Sequence, residues 1–199
     1  SQLVAIKAQR IVAAFLASGG DLARLGRAGA AGFIAELHSA LARKAAEHGC
    51  KVRDLATTMT LAIVAEEIAV VIQVGDSACA VRCNGEWQIP IWPMNGEYVN
   101  LTYFVSGFPR VPLAFATMRG KVTHLAVFSD GLGDMVLDRS SRSPFVPFFE
   151  GVFDGAGLGQ SSGRDRGASV DLGHFLCSAK ASERSDDDKT LIIAARVKS

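Results

Sequence analysis

The chain has 199 residues and a mass of 21.0 kDa, which predicts one domain on a prior of about 150 residues per domain. Hydrophobic residues make up 49% and charged residues 21% of the chain, a globular composition that argues against intrinsic disorder. The formal net charge is only +1, so the composition favours neither nucleic acid nor an anionic membrane as a partner.

Neither a membrane span nor a secretory signal is predicted. The longest apolar stretches, such as residues 11–17, are shorter than the roughly 20 residues that cross a bilayer, and the chain does not open on a charged and then an apolar segment.

The cysteines are not predicted to form disulfides. Cys79 and Cys83 would lie ~13 Å apart on one strand, too far for a disulfide. All four, with Cys50 and Cys177, are interpreted as small buried residues in a reducing cytoplasm.

Two amphipathic helices are predicted near the start of the chain. Apolar residues recur at helical spacing over residues ~3–17, and the following Gly19-Gly20 favours the left-handed conformation that ends helices. A second helix is predicted over residues ~29–48, where apolar residues recur at steps of four.

An antiparallel meander is predicted next, with strands over residues 59–65, 68–74, 78–83 and 86–91. The last two are joined by Asn84-Gly85, which is typical of a type I′ hairpin because both turn positions need a positive φ. Both faces of these strands are largely apolar, so we expect the sheet to be covered on both sides.

The rest of the chain mixes loops, strands and helices. We expect an irregular loop over residues 90–112, strands over 124–128 and 190–197, helices over 144–153 and 170–181, and a flexible glycine-serine loop over 155–167.

Three aspartates stand beside predicted strands. Asp76 follows one apolar strand, Asp130 ends another, and Asp187 precedes the last strand. Carboxylates at strand ends can converge at one edge of a sheet sandwich, where they repel each other unless a cation neutralises them. Oxygen ligands select hard cations such as Mg²⁺ or Mn²⁺. An aspartate in a turn is also a common turn-former, because its side chain bonds nearby backbone.

Four motifs occur in the order seen in the metal-dependent protein phosphatases of type 2C. They are ATTMTL at residues 56–61, VGDS at 74–77, FSDGL at 128–132 and DKTL at 188–191 with Asp187 before it. Residues 86–98 and 147–149 are similar to a bacterial branch of that family. The chain therefore resembles this family over nearly its whole length.

The resemblance implies an α+β fold: an α-β-β-α sandwich of two antiparallel sheets flanked by helices, formed as one domain over residues 1–199. It implies hydrolysis of phosphoserine or phosphothreonine in a phosphorylated protein substrate by a water that two metal ions activate. The expected partners include neither nucleic acid nor membrane, and the resemblance specifies no oligomeric state.

By the same resemblance, Asp130 and Asp187 are metal ligands in a site for two Mg²⁺ or Mn²⁺ ions. Asp76 resembles the ligand of a third, weaker ion that it shares with Asp130. No catalytic residue is implied beyond these ligands, since none of the four histidines matches the family's candidate general acid.

The chain also departs from the family pattern. The family's first metal motif, an Asp-Gly pair on an early strand, precedes its first long helix, whereas this chain begins at that helix, so an N-terminally incomplete domain is expected. The Leu-Thr-x-Asp-His motif after the hairpin is replaced by IPIWPM at residues 89–94. The alternative is therefore a catalytically silent, phosphatase-like binding or regulatory module. A serine hydrolase is disfavoured, because no Gly-x-Ser-x-Gly elbow occurs.

Overall fold

The computed structural model describes residues 2–93, 102–160 and 162–197. In chain order the helices and strands are α1 (Gln2–Ala17), α2 (Arg27–Glu47), β1 (Met59–Val64), β2 (Ile68–Val74), β3 (Ala78–Cys83), β4 (Glu86–Gln88), β5 (Ala114–Arg119), β6 (Val122–Phe128), α3 (Gly133–Val136), β7 (Leu137–Asp138), β8 (Ser143–Pro144), α4 (Val146–Ala156), α5 (Arg166–Leu176), α6 (Ala179–Ser182) and β9 (Leu191–Ala195). Short 3₁₀ helices lie at Val52–Leu55, Val105–Gly107 and Asp130–Leu132.

The contacts divide the chain into two compact units, of which the first comprises residues 1–77 and 93–119. Its sheet has the order β1-β2-β5, and both pairs of neighbours are antiparallel. Alternate residues of β2 share one hydrophobic core with the two long helices, because side chains of a strand alternate between its faces. The core includes Val4, Ile11, Ile34, Leu37, Val70, Ile72 and Val74. Ala69, Val71 and Gln73 are also buried, so both faces of β2 are covered, as the sequence predicts.

The second unit comprises residues 78–92 and 120–199. It contains an antiparallel sheet in the order β4-β3-β6-β9 and the small ladder β7-β8. Its core joins this sheet to α4, and Trp87 of β4 stacks on Phe149 of α4 with ring centroids 4.9 Å apart. Stacked aromatic pairs of this kind add about 0.5–1.5 kcal/mol to the burial of their surface.

The α+β class with antiparallel sheets and flanking helices is confirmed. Both long helices and the first three strands lie within two residues of their predicted bounds. The Asn84-Gly85 turn is also confirmed, with φ of 52° and 89° at its two positions. One domain over residues 1–199 stays a prediction, and residues 94–101 of the predicted loop lie outside the described residues.

The predicted meander of four consecutive strands is wrong. The strands β2 and β3 follow each other in sequence but lie in different sheets, since β2 pairs with β1 and β5 whereas β3 pairs with β4 and β6. The local pattern cannot reveal this arrangement, because the second partner of each strand comes from distant residues. The strand β5 was not predicted, and β4 ends at Gln88, close to Pro90, which has no N–H for a ladder hydrogen bond.

The C-terminal helix was also predicted incorrectly. It begins earlier, after the N-cap Asp165, whose side chain accepts a hydrogen bond from the N–H of Ala168. It then breaks into α5 and α6, because Ser178 caps a new helix by accepting from the N–H of Ala181. Among the described residues, no helix combines the length and apolarity that a membrane crossing requires.

The four cysteines occupy different environments. Cys79 and Cys83 are buried, Cys50 is half-buried, and all four are free thiols. Cys177 caps the C-terminal end of α5 and is exposed, so the prediction that every cysteine is buried is wrong for this residue.

Burial raises the pKa of the Cys79 thiol to about 12, and the thiolate is the form that reacts with alkylating reagents. We therefore expect Cys177 to be alkylated in the folded protein at pH 8 while Cys79 stays unmodified until guanidinium unfolds the chain. Mass spectrometry of iodoacetamide-treated protein measures both sites. Alkylation of Cys79 at the rate of Cys177 under native conditions would contradict this burial.

Candidate metal centre

Asp130 lies directly after β6, where the chain turns into the 3₁₀ helix Asp130–Leu132. The residue is exposed, and its Oδ1 accepts a hydrogen bond of 2.9 Å from the N–H of Gly131. This bond orients the carboxylate at the start of the turn. Sequence reasoning placed Asp130 at a strand end, and the structure agrees.

Asp187 lies in the loop that leads into β9, within an acidic run of three exposed aspartates. Its N–H donates to Ser185 Oγ at 3.2 Å. The Lys189 ammonium group closes the loop, because its Nζ donates to the carbonyl oxygens of Ser185 at 2.7 Å and of Asp187 at 3.1 Å. The lysine therefore stabilises the loop by binding the loop's carbonyl oxygens, and it places a positive charge beside the acidic run.

The pairing of β6 with β9 brings the segments of Asp130 and Asp187 together. The two strands are antiparallel, and Phe128 lies opposite Leu191. Ser129 continues the pairing: its N–H donates to Thr190 O at 3.1 Å, and its Oγ accepts from the N–H of Thr190 at 2.9 Å. The same hydroxyl donates to Asp188 O at 3.1 Å. The hydrogen bonds of Ser129 thus hold the turn that carries Asp130 against the loop that carries Asp187.

Gly131 allows these two segments to touch. A Cβ atom at this buried position would lie 2.5 Å from the carbonyl oxygen of Asp188 and 3.1 Å from the Cβ of Asp187. Real Cβ atoms do not approach backbone oxygen that closely, so any side chain here would push the two segments apart. The glycine after Asp130 is therefore required for the close contact between these two segments.

The donor chemistry of this pair fits a hard divalent cation. Carboxylate oxygens are the ligands that Mg²⁺ prefers, and Mg²⁺ commonly keeps several waters beside one or two carboxylates. Over residues 2–93, 102–160 and 162–197, no cluster of three or more His, Cys, Asp or Glu side chains is arranged to hold a metal. The oxygen donors of Asp130 and Asp187 are the type that a hydrated cation accepts, and their role as metal ligands stays a prediction.

Asp76 belongs to the other compact unit, in the turn after β2. It is half-buried, and its Oδ2 accepts a hydrogen bond of 2.7 Å from Thr102 Oγ1. The preceding Gly75 has a φ of +106°, a conformation that L side chains rarely adopt. Its role as ligand of a third ion stays a prediction.

The Protein phosphatase 2C family model matches residues 1–176. This chain belongs to the protein phosphatase 2C family. The resemblance inferred from the four motifs is therefore confirmed. Asp187 lies beyond the matched residues, so its assignment depends on the sequence pattern and on its contact with the turn of Asp130.

A relative in Escherichia coli, serine/threonine-protein phosphatase 3, is 35% identical to this chain over 144 residues. The match covers 72% of this chain and 56% of the relative. The chain thus spans little more than half the length of this relative.

Two solved structures share the fold. PppA of Pseudomonas aeruginosa is 17% identical, with a TM-score of 0.56 over 98% of this chain and 78% of that chain. The catalytic domain of the serine threonine protein phosphatase PstP, in complex with two manganese ions, is 21% identical, with a TM-score of 0.52 over 96% of this chain and 81% of that chain. At these identities the likeness shows the fold.

Sequence reasoning missed three residues that shape these sites. Ser129 is part of the FSDGL motif, but the motif does not reveal that its hydroxyl group hydrogen-bonds the loop of Asp187. Lys189 is part of the DKTL motif, but the motif gives no sign of its bonds to the backbone of its own loop. Thr102 carries no local signal, because it is separated from Asp76 by 26 residues.

Proposed function

We propose that this phosphatase 2C chain hydrolyses phosphoserine and phosphothreonine in protein substrates, with Mg²⁺ or Mn²⁺ as cofactor. One observation carries the proposal: Ser129 and Gly131 hold the Asp130 turn against the loop of Asp187. Two aspartates lie on adjacent segments that backbone contacts hold in place. This arrangement favours a role in binding a divalent cation over a role as turn-formers alone.

The roles of the residues follow from their placement. Asp130 and Asp187 would hold the cations through carboxylate oxygens, and Asp76 would bind a third, weaker one. When bound, divalent cations neutralise the charge of a phosphoryl group and lower the pKa of water that attacks it. Ser129 and Gly131 keep the two ligand-bearing segments in register. The two manganese ions in the PstP structure support a site for two ions.

The test is metal-dependent release of phosphate from phosphoserine and phosphothreonine peptides by the full chain. We expect release with Mn²⁺ or Mg²⁺, none with excess EDTA, and recovery when the metal is restored. A phosphotyrosine peptide serves as the substrate control. Asp186→Asn is the matched protein control, because it removes one exposed charge beside Asp187 and should leave the rate within about twofold.

The opposite result identifies the alternative function. A protein that binds these phosphopeptides in a calorimeter but releases no phosphate with either metal would be a phosphatase-like binding module. Such a result would contradict the hydrolytic function while leaving membership of the family intact.

A further inference from the structure

Thr102 makes a direct contact with the proposed ligand Asp76. Its Oγ1 lies 2.7 Å from Asp76 Oδ2, which is the usual length of a hydroxyl–carboxylate hydrogen bond. An ionised carboxylate has no proton, so the threonine must be the donor. We propose that Thr102 is a positioning residue, which fixes the orientation of the Asp76 carboxylate that would bind the weaker cation.

The hydrogen bond assigns different tasks to the two carboxylate oxygens. Oδ2 accepts the hydrogen bond of the Thr102 hydroxyl group, whereas Oδ1 accepts no hydrogen bond among the described residues and so offers more of its lone-pair sites to a cation. Without the Thr102 hydroxyl group, the Asp76 side chain would adopt several rotamers, and cation binding would then have to select one of them. Immobilising a side chain on binding costs free energy, so a preoriented Asp76 should bind its cation several-fold more tightly.

The backbone of the turn before Asp76 is held in place by its neighbours. Gln73 is fully buried, and its Nε2 donates to Gly75 O at 3.3 Å. A Cβ at Gly75 would lie 2.5 Å from Thr58 Cγ2 and 2.9 Å from the carbonyl oxygen of Tyr103. Tyr103, the residue after Thr102, therefore packs on the turn whose carboxylate Thr102 binds. Because the main chain is fixed, the rotation of the Asp76 side chain remains the freedom that Thr102 controls.

This inference rests on the proposed role of Asp76 as a cation ligand. The measurement is a calorimetric Mn²⁺ titration of the full chain, with the Mn²⁺ concentration for half-maximal phosphopeptide hydrolysis beside it. We expect Thr102→Val, which replaces the hydroxyl group with a methyl group of similar size, to weaken the weaker Mn²⁺ step by about three- to tenfold. Thr102→Ser restores a hydroxyl group and should recover most of the affinity. If Thr102→Val folds poorly, Thr102→Ala with the same serine rescue replaces it.

Two controls separate positioning from a general structural effect. Tyr103→Phe removes a hydroxyl group from the neighbouring residue, which has no hydrogen bond to Asp76 among the described residues, and should leave the Mn²⁺ titration unchanged. In an Asp76→Ala background, Thr102→Val should have no further effect, because the residue through which it acts is gone.

The outcomes distinguish this inference from the proposed function. If Asp76→Ala weakens the Mn²⁺ step and Thr102→Val does not, the positioning role alone is overturned. If Thr102→Val weakens the step equally with and without Asp76, Thr102 acts by another route and the inference is also overturned. If Asp76→Ala leaves every Mn²⁺ step unchanged, Asp76 is not a ligand, and both its proposed role and the positioning role of Thr102 fail.

Discussion

Asp130→Asn is expected to lower the rate of phosphopeptide hydrolysis by at least about 100-fold, since even residues that only support a metal ligand change affinity or activity by about 10–100-fold. Asparagine has nearly the same shape, and its side-chain oxygen can still accept from the N–H of Gly131 as Asp130 Oδ1 does. The turn should therefore survive while the charge that attracts the cation is lost. Initial rates at several Mn²⁺ concentrations, with circular dichroism of the variant, measure both effects.

The matched control for this substitution is Asp134→Asn. Asp134 is exposed and pairs with Arg139 at 2.9 Å, and exposed ion pairs contribute at most about 1 kcal/mol to stability. It carries the same charge a few residues beyond Asp130 and takes no part in the hydrogen bonds that join the Asp130 turn to the Asp187 loop among the described residues. We expect the Asp134→Asn variant to have the same hydrolysis rate and the same Mn²⁺ dependence as the unsubstituted protein. Full activity and unchanged Mn²⁺ affinity in Asp130→Asn would rule out Asp130 as a ligand.

Local signals in the sequence were sufficient to predict the helices, the first three strands and the hairpin. The α1 residues that pack into the core, such as Val4 and Ile11, recur at helical spacing, and Asn84-Gly85 adopts the positive φ angles that its turn requires. These features depend on neighbouring residues, so periodicity and turn chemistry reveal them.

Sheet membership could not be predicted in the same way. The central strand β2 takes its second partner from β5, with Val70 opposite Thr117, and nothing in either segment specifies that pairing. The same limit applies to the sites. Strand-end positions together with the family resemblance nominated Asp130 and Asp187, whereas the Thr102–Asp76 bond exists only once distant segments have folded together.

The close approach at Gly131 shows why the Asp130 site depends on more than its carboxylates. We expect Gly131→Ala to destabilise the fold by about 2 kcal/mol, because an added Cβ would lie 2.5 Å from Asp188 O and overpacking typically costs 1–3 kcal/mol. That loss corresponds to a fall in Tm of about 4–8 °C for a chain of this size. Scanning calorimetry of the metal-free protein measures this effect.

Gly131→Ala should also reduce hydrolysis far more than its loss of stability explains. The backbone of Asp188 cannot rotate away from the new methyl group, so the loop must move, and Asp187 must move with it. A displacement of about 1 Å in a catalytic constellation can cost about 100-fold in rate, and we expect a loss of that order at 25 °C, where most of the variant is still folded.

Gly173→Ala is the matched control: in α5 of the same unit, an added Cβ meets no atom within 4 Å. Because alanine favours helix by about 0.5–1 kcal/mol over glycine, this control should raise Tm slightly and leave the rate unchanged. If Gly131→Ala kept the full rate at 25 °C, the contact between the two segments would not set the geometry of the site.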